Sequence, residues 1–518
     1  MKNDEISAAW AYHNRTKHSL QSIRANRYYL DWENQPIPFK IYPQIEPIRL
    51  VEDLSSPGVP ALRALSTSAS PDSRAVLTRQ ILAEILFLSA GITRRRPYPG
   101  GEILFRAAAC TGALYHIDLY IVGELEDLET GVYQFSPQDF ALRKLRAGDY
   151  RSVLIQACGD EPAVAKASCA IICSSTFWRN AWKYQTRAYR HCFWDTGTIV
   201  ANLLAAASAR EIPANLLAGF VDATVSGLLG LDSEREGPIS LVALGNTLHP
   251  VSGATLPVEP LQVETMPLSK TEIDYPAIRT IHQASVLGSA EEVKAWRDAG
   301  KTNPQGEERR KDDENVGRIF ALQPIDDDIM PRDTLEDVIV RRGSTRKFAR
   351  EPITFVQLST VLDRSTCGIP ADFLAGSERS LNDIYLIVHA VEGLPPGAYV
   401  FRRDQRALEL LKQGDFRREA GYLGLDQEIP ADCSVNIYFL ADLNRALARF
   451  GNRGYRAAQL EAAVIGGKIY LAAYAQRLGA SGLTFFDDDV TEFFSPHAAG
   501  KSVMFLVAVG KSAKRQTR

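Results

Sequence analysis

The sequence predicts two α+β domains in tandem, each a central sheet covered by helices, and three observations carry that prediction. At 518 residues the chain exceeds an ordinary single domain. Short segments of its first half return in its second at a nearly constant spacing. Within each half, apolar runs of strand type alternate with runs of helical period.

The repeat is explicit. "GVYQF" at 131–135 returns as "GAYVF" at 397–401, "GDYR" at 148–151 as "GDFR" at 414–417, and "RAYR" at 187–190 as "RGYR" at 453–456. "GFVDATV" at 219–225 returns as "TFFDDDV" at 484–490, and "LVALG" at 241–245 as "LVAVG" at 506–510. The spacing is 266 residues in the first three pairs and 265 in the last two, which marks a duplication.

In chain order, residues 1–59 form an N-terminal leader segment, 60–250 a first domain, 251–330 a linker and 331–518 a second domain. The leader opens with "MKNDEISAAW", which lacks the apolar core of a signal peptide. The runs "IDLYIV", "DIYLIV", "SVNIYFL" and "SVMFLVAVG" read as strands. "TGTIVANLLAAASA" and "RAAQLEAAVIGGKIYLAAYAQRLG" read as helices, the second closing at Gly479. The small alanines of "KIYLAAYAQRLG" suit close helix packing in the core. The linker, with "HPVSGATLPVEP" at one end and "EERRKDDEN" in its middle, reads as a connector with one helix around "AEEVKAWRDAG".

Composition narrows the function classes. Hydrophobic residues at 45% and charged residues at 23% fit a soluble globular protein, and a net charge of −3 argues against a dedicated nucleic-acid binder. The apolar stretch "TIVANLLAAASAREIPANLLAGF" is interrupted by Arg210, Glu211 and Pro213, which suits a buried helix and turn better than a membrane span. No membrane partner and a cytoplasmic location are the expectations. The seven cysteines show no CxxC pair and no zinc spacing, so no metal site is expected. Cys169 and Cys173 would share one face of a strand as small buried hydrophobes.

One stretch has no counterpart in the other half: "RRGSTRKF" at 341–348. In an extended segment Arg342, Ser344 and Arg346 fall on one side and Lys347 on the other. Two guanidiniums flanking a hydroxyl, with Gly343 permitting close approach, suit a phosphate.

Arg342, Ser344, Arg346 and Phe348 resemble the R-x-S-x-R-x-F signature of the nitroreductase family of flavoproteins, where these residues hold the phosphate and pyrimidine edge of FMN. The leader "YHNRTKHSLQS…LDWENQPIPFKIY" resembles that of SagB-type dehydrogenases, a branch that includes the azoline oxidases of peptide natural-product pathways. "RAAACTGALYHIDLYIV" at 106–122 is similar to that branch's R-x-x-P-S-A-G-A-L-Y-P motif, with Ala109 and Cys110 in place of Pro-Ser. The resemblance implies two tandem domains of the FMN-dependent nitroreductase fold forming an intramolecular pseudo-dimer, able to work as a monomer. In the family each flavin takes its phosphate segment from one subunit and its loop from the other. Here the first domain has the loop Ala109, Cys110, Thr111, Gly112 and Ala113, with "AVLTRQ" near where an anchor would stand. The second has the anchor, with "LAGSERSLN" at the loop position. One complete flavin site per chain and one eroded site are implied.

By the same resemblance, the main chain of Leu483, Thr484 and Phe485 passes the flavin N5, and Lys511, with Lys514 beyond it, corresponds to terminal basic residues that reach the phosphate. Lys183 and Tyr184 stand at the Lys-Tyr pair of azoline oxidases. Beside a flavin they would move a proton if burial brought their pKa values toward neutrality. Arg187, Tyr189, Arg453 and Tyr455 occur in both repeats and are expected to stabilise the shared fold. Asp222 and Asp487 are expected as helix N-caps. The function implied is an FMN-dependent oxidoreductase acting on a small-molecule or modified-peptide substrate. The alternatives are an NAD(P)H-dependent nitro or quinone reductase, and a non-catalytic flavin- or peptide-binding module.

Overall fold

The computed structural model describes residues 2–51, 55–99, 101–247, 249, 251, 255–301, 317–374 and 380–513. "EERRKDDEN", Lys514 and residues 375–379 of "LAGSERSLN" lie outside them. Two seven-stranded antiparallel sheets dominate. The first contains β1 (Pro47–Arg49), β2 (Ile117–Leu125), β3 (Leu128–Ser136), β4 (Ala141–Ala147), β5 (Cys169–Thr176), β6 (Ala214–Leu217) and β7 (Glu236–Leu244), in the order β1-β4-β3-β2-β5-β7-β6. The second contains β8 (Ile319–Ala321), β9 (Asn382–Val388), β10 (Gly397–Arg402), β11 (Ala407–Gln413), β12 (Val435–Ala441), β13 (Gly479–Gly482) and β14 (Ser502–Gly510). Its order, β8-β11-β10-β9-β12-β14-β13, is the first advanced by seven throughout. The duplication is therefore a duplication of fold, and the chain is an α+β tandem.

Each sheet takes one outer strand from outside the two domain segments read in the sequence, β1 from the leader and β8 from the linker: β1 pairs Ile48 with Leu142, and β8 pairs Phe320 with Leu408. Three residues are too few to show a period of two. The central strands, by contrast, are buried on both faces, as in β5 from Cys169 to Thr176, which is why they read as unbroken apolar runs. Among its described residues the linker holds two helices, Pro276–Ala284 and Ala290–Lys301. Among the described residues no helix is long and apolar enough to cross a membrane.

The domains meet through their longest helices, Ala188–Ala209 and Arg453–Ala475. A Cβ added to Gly197 would lie 2.5 Å from the Ala463 Cβ, and one on Gly467 would lie 2.6 Å from the Ala201 Cβ. These pairs are 266 residues apart, so each residue faces its own counterpart and the helices cross on the pseudo-two-fold axis. Small residues at that crossing let the backbones touch.

Flanking the crossing are two buried ion clusters. Asp487 accepts from Arg187 Nη1 at 3.0 Å and Arg190 Nη1 at 2.5 Å; Asp222 accepts from Arg453 Nη1 at 2.6 Å and Arg456 Nη1 at 2.9 Å. In both, the arginines come from one domain and the carboxylate from the other. Asp222 and Asp487 are thus not N-caps: Val221 and Phe486 hold those positions, without side-chain caps. The carboxylates turn instead to buried guanidiniums, whose unpaired charge would cost more than uncapped N–H groups near a helix start.

Candidate active site

The unrepeated anchor and the first-domain loop come together across the domain boundary. Thr334 caps the helix Leu335–Arg341, and Arg342 leaves it with φ −57° and ψ 139°, starting an irregular extended segment. The guanidinium of Arg342 donates from Nε to the Ala107 carbonyl and from Nη2 to the Arg106 carbonyl, both at 3.0 Å. Those carbonyls stand at the root of the loop Ala109–Ala113. Thr345 turns inward, its N–H donating to the Ala480 carbonyl and its hydroxyl lying 3.1 Å from Ser512 Oγ. Ser344 faces Tyr470 Oη at 3.5 Å, and that phenol also accepts from the Gly482 N–H.

Arg346 and Lys347 are both exposed. Neither Arg342 nor Arg346 has a carboxylate partner among the described residues, whereas Lys511 lies 3.6 Å from Glu351. The Lys511 carbonyl accepts from the Ala349 N–H and the Lys347 carbonyl from the Ala513 N–H, so the end of the last strand holds the anchor by its main chain.

The loop is fixed by Asp195, a residue that sequence reasoning passed over. Its Oδ1 accepts from the Thr111 N–H at 2.9 Å and Thr111 Oγ1 at 2.7 Å; its Oδ2 accepts from Cys110 Sγ at 3.0 Å and lies 2.9 Å from His116 Nε2. Burial pushes the Cys110 thiol well up, and the adjacent Asp195 adds to it, so Cys110 serves as a protonated donor to that carboxylate. Gly112 sits at φ 67°, a left-handed conformation that favours glycine.

Lys183 and Tyr184 close the arrangement. They end the helix Phe177–Tyr184, with the Lys183 ammonium 5.4 Å from the Tyr184 ring centroid. A Cβ on Gly112 would lie 2.8 Å from Tyr184 Oη, so the phenol stands directly over the loop. Burial pushes the phenol up, Asp195 and Cys110 push it further, and Arg346 opposes them. The expected shift toward neutrality is therefore reversed for Tyr184: it is held protonated. Its ring packs edge-on against His191 at 4.6 Å, and His191 Nδ1 is 2.7 Å from Asn180 Oδ1. Residues of the leader cover this helix: Trp182 Nε1 donates to the Asp31 carbonyl at 2.9 Å, and Tyr28 Oη donates to the Trp182 carbonyl.

Leu483, Thr484 and Phe485 follow the strand Gly479–Gly482. The Leu483 N–H is bonded to the Leu506 carbonyl, and Phe485 is buried against Trp194. Thr484 Oγ1 is buried without a hydrogen-bond partner among the described residues. Of these features, Arg342 is the one whose hydrogen bonds join the second-domain anchor directly to the root of the first-domain loop.

Residues 75–246 and 339–511 each match the nitroreductase family. The chain belongs to that family, with two copies of its domain in tandem. A crystal structure from Anabaena variabilis, provisionally described as a nitroreductase, superposes with a TM-score of 0.76 at 27% identity and covers 98% of this chain and 100% of its own. A protein of Methanocaldococcus jannaschii, provisionally named a nitroreductase, is 26% identical over 167 residues, which are 30% of this chain and 82% of that protein. The microcin B17-processing protein McbC of Escherichia coli is 27% identical over 158 residues, 29% of this chain and 54% of McbC. Oxidoreductase chemistry with a flavin is what this family generally performs.

Proposed function

We propose that the protein is an FMN-dependent oxidoreductase, SagB-type dehydrogenase-like, with one composite flavin site per chain. The observation that carries this reading is Arg342: a second-domain guanidinium without a carboxylate partner among the described residues, bonded to the root of the first-domain loop. Arg342, Ser344 and Arg346 would hold the phosphate, with Gly343 leaving room for it. The main chain of Ala109, Cys110, Thr111, Gly112 and Ala113 would line the ring from one domain, and that of Leu483, Thr484 and Phe485 from the other. The orphan Thr484 hydroxyl fits a polar ring edge. Lys511, engaged with Glu351, would contribute through the backbone it fixes.

FMN, when bound, supplies a two-electron carrier. The residues around it manage position and protons. In the dehydrogenase direction Lys183 would handle the proton that leaves the substrate, and Tyr184 would orient the reacting group by a hydrogen bond. The name of McbC as a microcin-processing protein supports a modified-peptide substrate. The protonated state of Tyr184 favours a second reading, an NAD(P)H-dependent nitro or quinone reductase in which the phenol delivers a proton to the reduced acceptor.

Two measurements test the proposal. Chromatography of the released cofactor should return FMN; FAD as the main species would overturn the phosphate argument. Anaerobic addition of NADH or NADPH, then of acceptors, separates the readings: rapid flavin bleaching and turnover with quinones would select the reductase.

A further inference from the structure

The 265–266-residue offset defines a second cradle, and it is full. Ala218, Gly219 and Phe220 are the counterparts of Leu483, Thr484 and Phe485; Arg449 and Phe450 of Lys183 and Tyr184; Glu461 of Asp195. The frame is kept. Glu461 accepts from Ser380 Oγ at 2.6 Å and the Leu381 N–H at 2.8 Å, as Asp195 accepts from Thr111.

The contents differ. Asp372 takes the Ala218 N–H on Oδ1 and the Gly219 N–H on Oδ2, both at 2.9 Å. The buried indole of Trp296, from the linker helix Ala290–Lys301, packs on the Phe450 ring at 5.2 Å between centroids and donates from Nε1 to the Phe450 carbonyl at 3.1 Å. On its other side it meets Gly219, where an added Cβ would be 3.0 Å from the indole and 2.9 Å from Asp372 Oδ2. Arg449 donates to the carbonyls of Ala299 and Gly300 at the end of the same helix. A planar bicyclic side chain thus lies between the counterparts of Thr484 and Tyr184, and a carboxylate caps backbone donors on that edge.

We infer that the linker helix is the resident occupant of the second cradle, with Trp296 in the place of a flavin ring and Asp372 on the N–H groups that would meet its edge. This rests on the composite-site reading of the first cradle and goes beyond it. The second site is not merely without a phosphate anchor but is closed by the chain itself, which makes the protein a one-flavin enzyme by occupancy. The linker's conformation is then part of the fold's symmetry-breaking rather than a spacer. A cavity of about 390 Å³ adjoins Asp372, lined by Asn215–Leu217 and Ile369–Asp372, so an emptied cradle would open onto further space.

The test uses full-length Trp296→Ala, the double variant Trp296→Ala/Asp372→Ala, and Trp296→Leu. Truncation should lower Tm, and saturating indole should raise the Tm of Trp296→Ala again while leaving wild type unmoved, because an apolar ring-shaped cavity takes up a ring of matching size. The double variant should bind riboflavin, which needs no phosphate anchor, as about one further equivalent while retaining about one FMN. Should Trp296→Ala fail to fold, Trp296→Leu decides: its unfolding should be lowered in Tm without change in FMN content. Two tightly bound FMN per wild-type chain, or variants that respond to neither ring, would overturn the inference. Arg346→Ala keeps the two readings apart. Combined with Trp296→Ala, it should weaken FMN binding at the first cradle without affecting indole rescue at the second. Indole rescue in a chain that never carries flavin would sink the composite-site reading and leave the plug standing.

Discussion

Arg342 and Arg346 lie four residues apart and are both proposed to hold the phosphate, yet they should respond differently to removal. Arg342 has two duties: its guanidinium already makes two 3.0 Å bonds to Arg106 and Ala107 across the domain boundary, and it has further N–H groups for a ligand. Arg346 is exposed and bonded to no described residue, so its only expected partner is the ligand. A charge-assisted hydrogen bond contributes roughly 1.5–3 kcal/mol, which is about a ten- to hundredfold change in affinity. Arg346→Ala should therefore weaken FMN binding by about that factor and leave the Tm of the flavin-free protein where it was. Arg342→Ala should weaken FMN at least as much and also lower the apo Tm, because both hydrogen bonds across the domain boundary are lost and the Ala107 carbonyl keeps only Asn202 Nδ2. Lys347→Ala should change neither. Fluorescence titration of deflavinated protein with FMN, paired with thermal melts with and without cofactor, reads both quantities. An apo-Tm loss in Arg346→Ala, or equal FMN loss in Lys347→Ala, would refute the assignment of sides.

Tyr184→Phe removes a phenol held protonated while keeping its packing against His191; flavin content should stay near wild type, and turnover should slow by roughly a hundredfold, as expected for a lost acid–base group. Unchanged turnover with a substrate that wild type converts would make Tyr184 a packing residue. Asp487→Asn leaves Arg187 and Arg190 buried beside a neutral side chain and should cost about 3–5 kcal/mol at neutral pH by denaturant unfolding. The Asp487 carboxyl is depressed by Arg187 and Arg190 despite its burial, so its contribution is present above the unfolded value of about 3.9 and fades as pH falls toward the lower folded value. The stability gap between wild type and variant should be flat above about pH 5 and close below it; a gap that widens in acid would reverse the sign of the linkage.

What the sequence revealed depended on how many residues carried each signal. The duplication was legible because five segments agree on one spacing, and the central strands because two-sided burial leaves apolar runs. β1 and β8 were not legible, being three residues each in segments rich in proline or charge. The anchor stood out as local charge density, while Asp195 did not, although a signal existed. It is the one carboxylate of a long, mostly apolar helical segment, and the 266-residue offset makes Glu461 its counterpart. Asp222 and Asp487 were misread because a short acidic residue before a helix looks the same whether it caps the backbone or binds arginines 231 to 300 residues away. Only the tertiary contact distinguishes them.

The pattern of what is kept and what is lost follows from fusing the pair into one chain. In a homodimer one gene encodes both sites, so a substitution that erodes one erodes the other. In a tandem each half varies alone. Features that hold the halves together remain symmetric: Gly197 and Ala463 meet as Ala201 and Gly467 do, and each Asp receives two arginines from the opposite domain. Each symmetric pair contributes to the single interface, so losing one member costs the whole fold. The cradles are under no such joint constraint. The first keeps a glycine loop and a phenol and faces the only R-x-S-x-R segment. At the second, Phe450 replaces the phenol, Arg449 ties down a helix and Trp296 fills the space. An emptied second cradle would leave a cavity about the size of an indole, and a buried cavity of that size is destabilising. Filled from within the chain, the second ring site has the packing that a bound cofactor would otherwise supply.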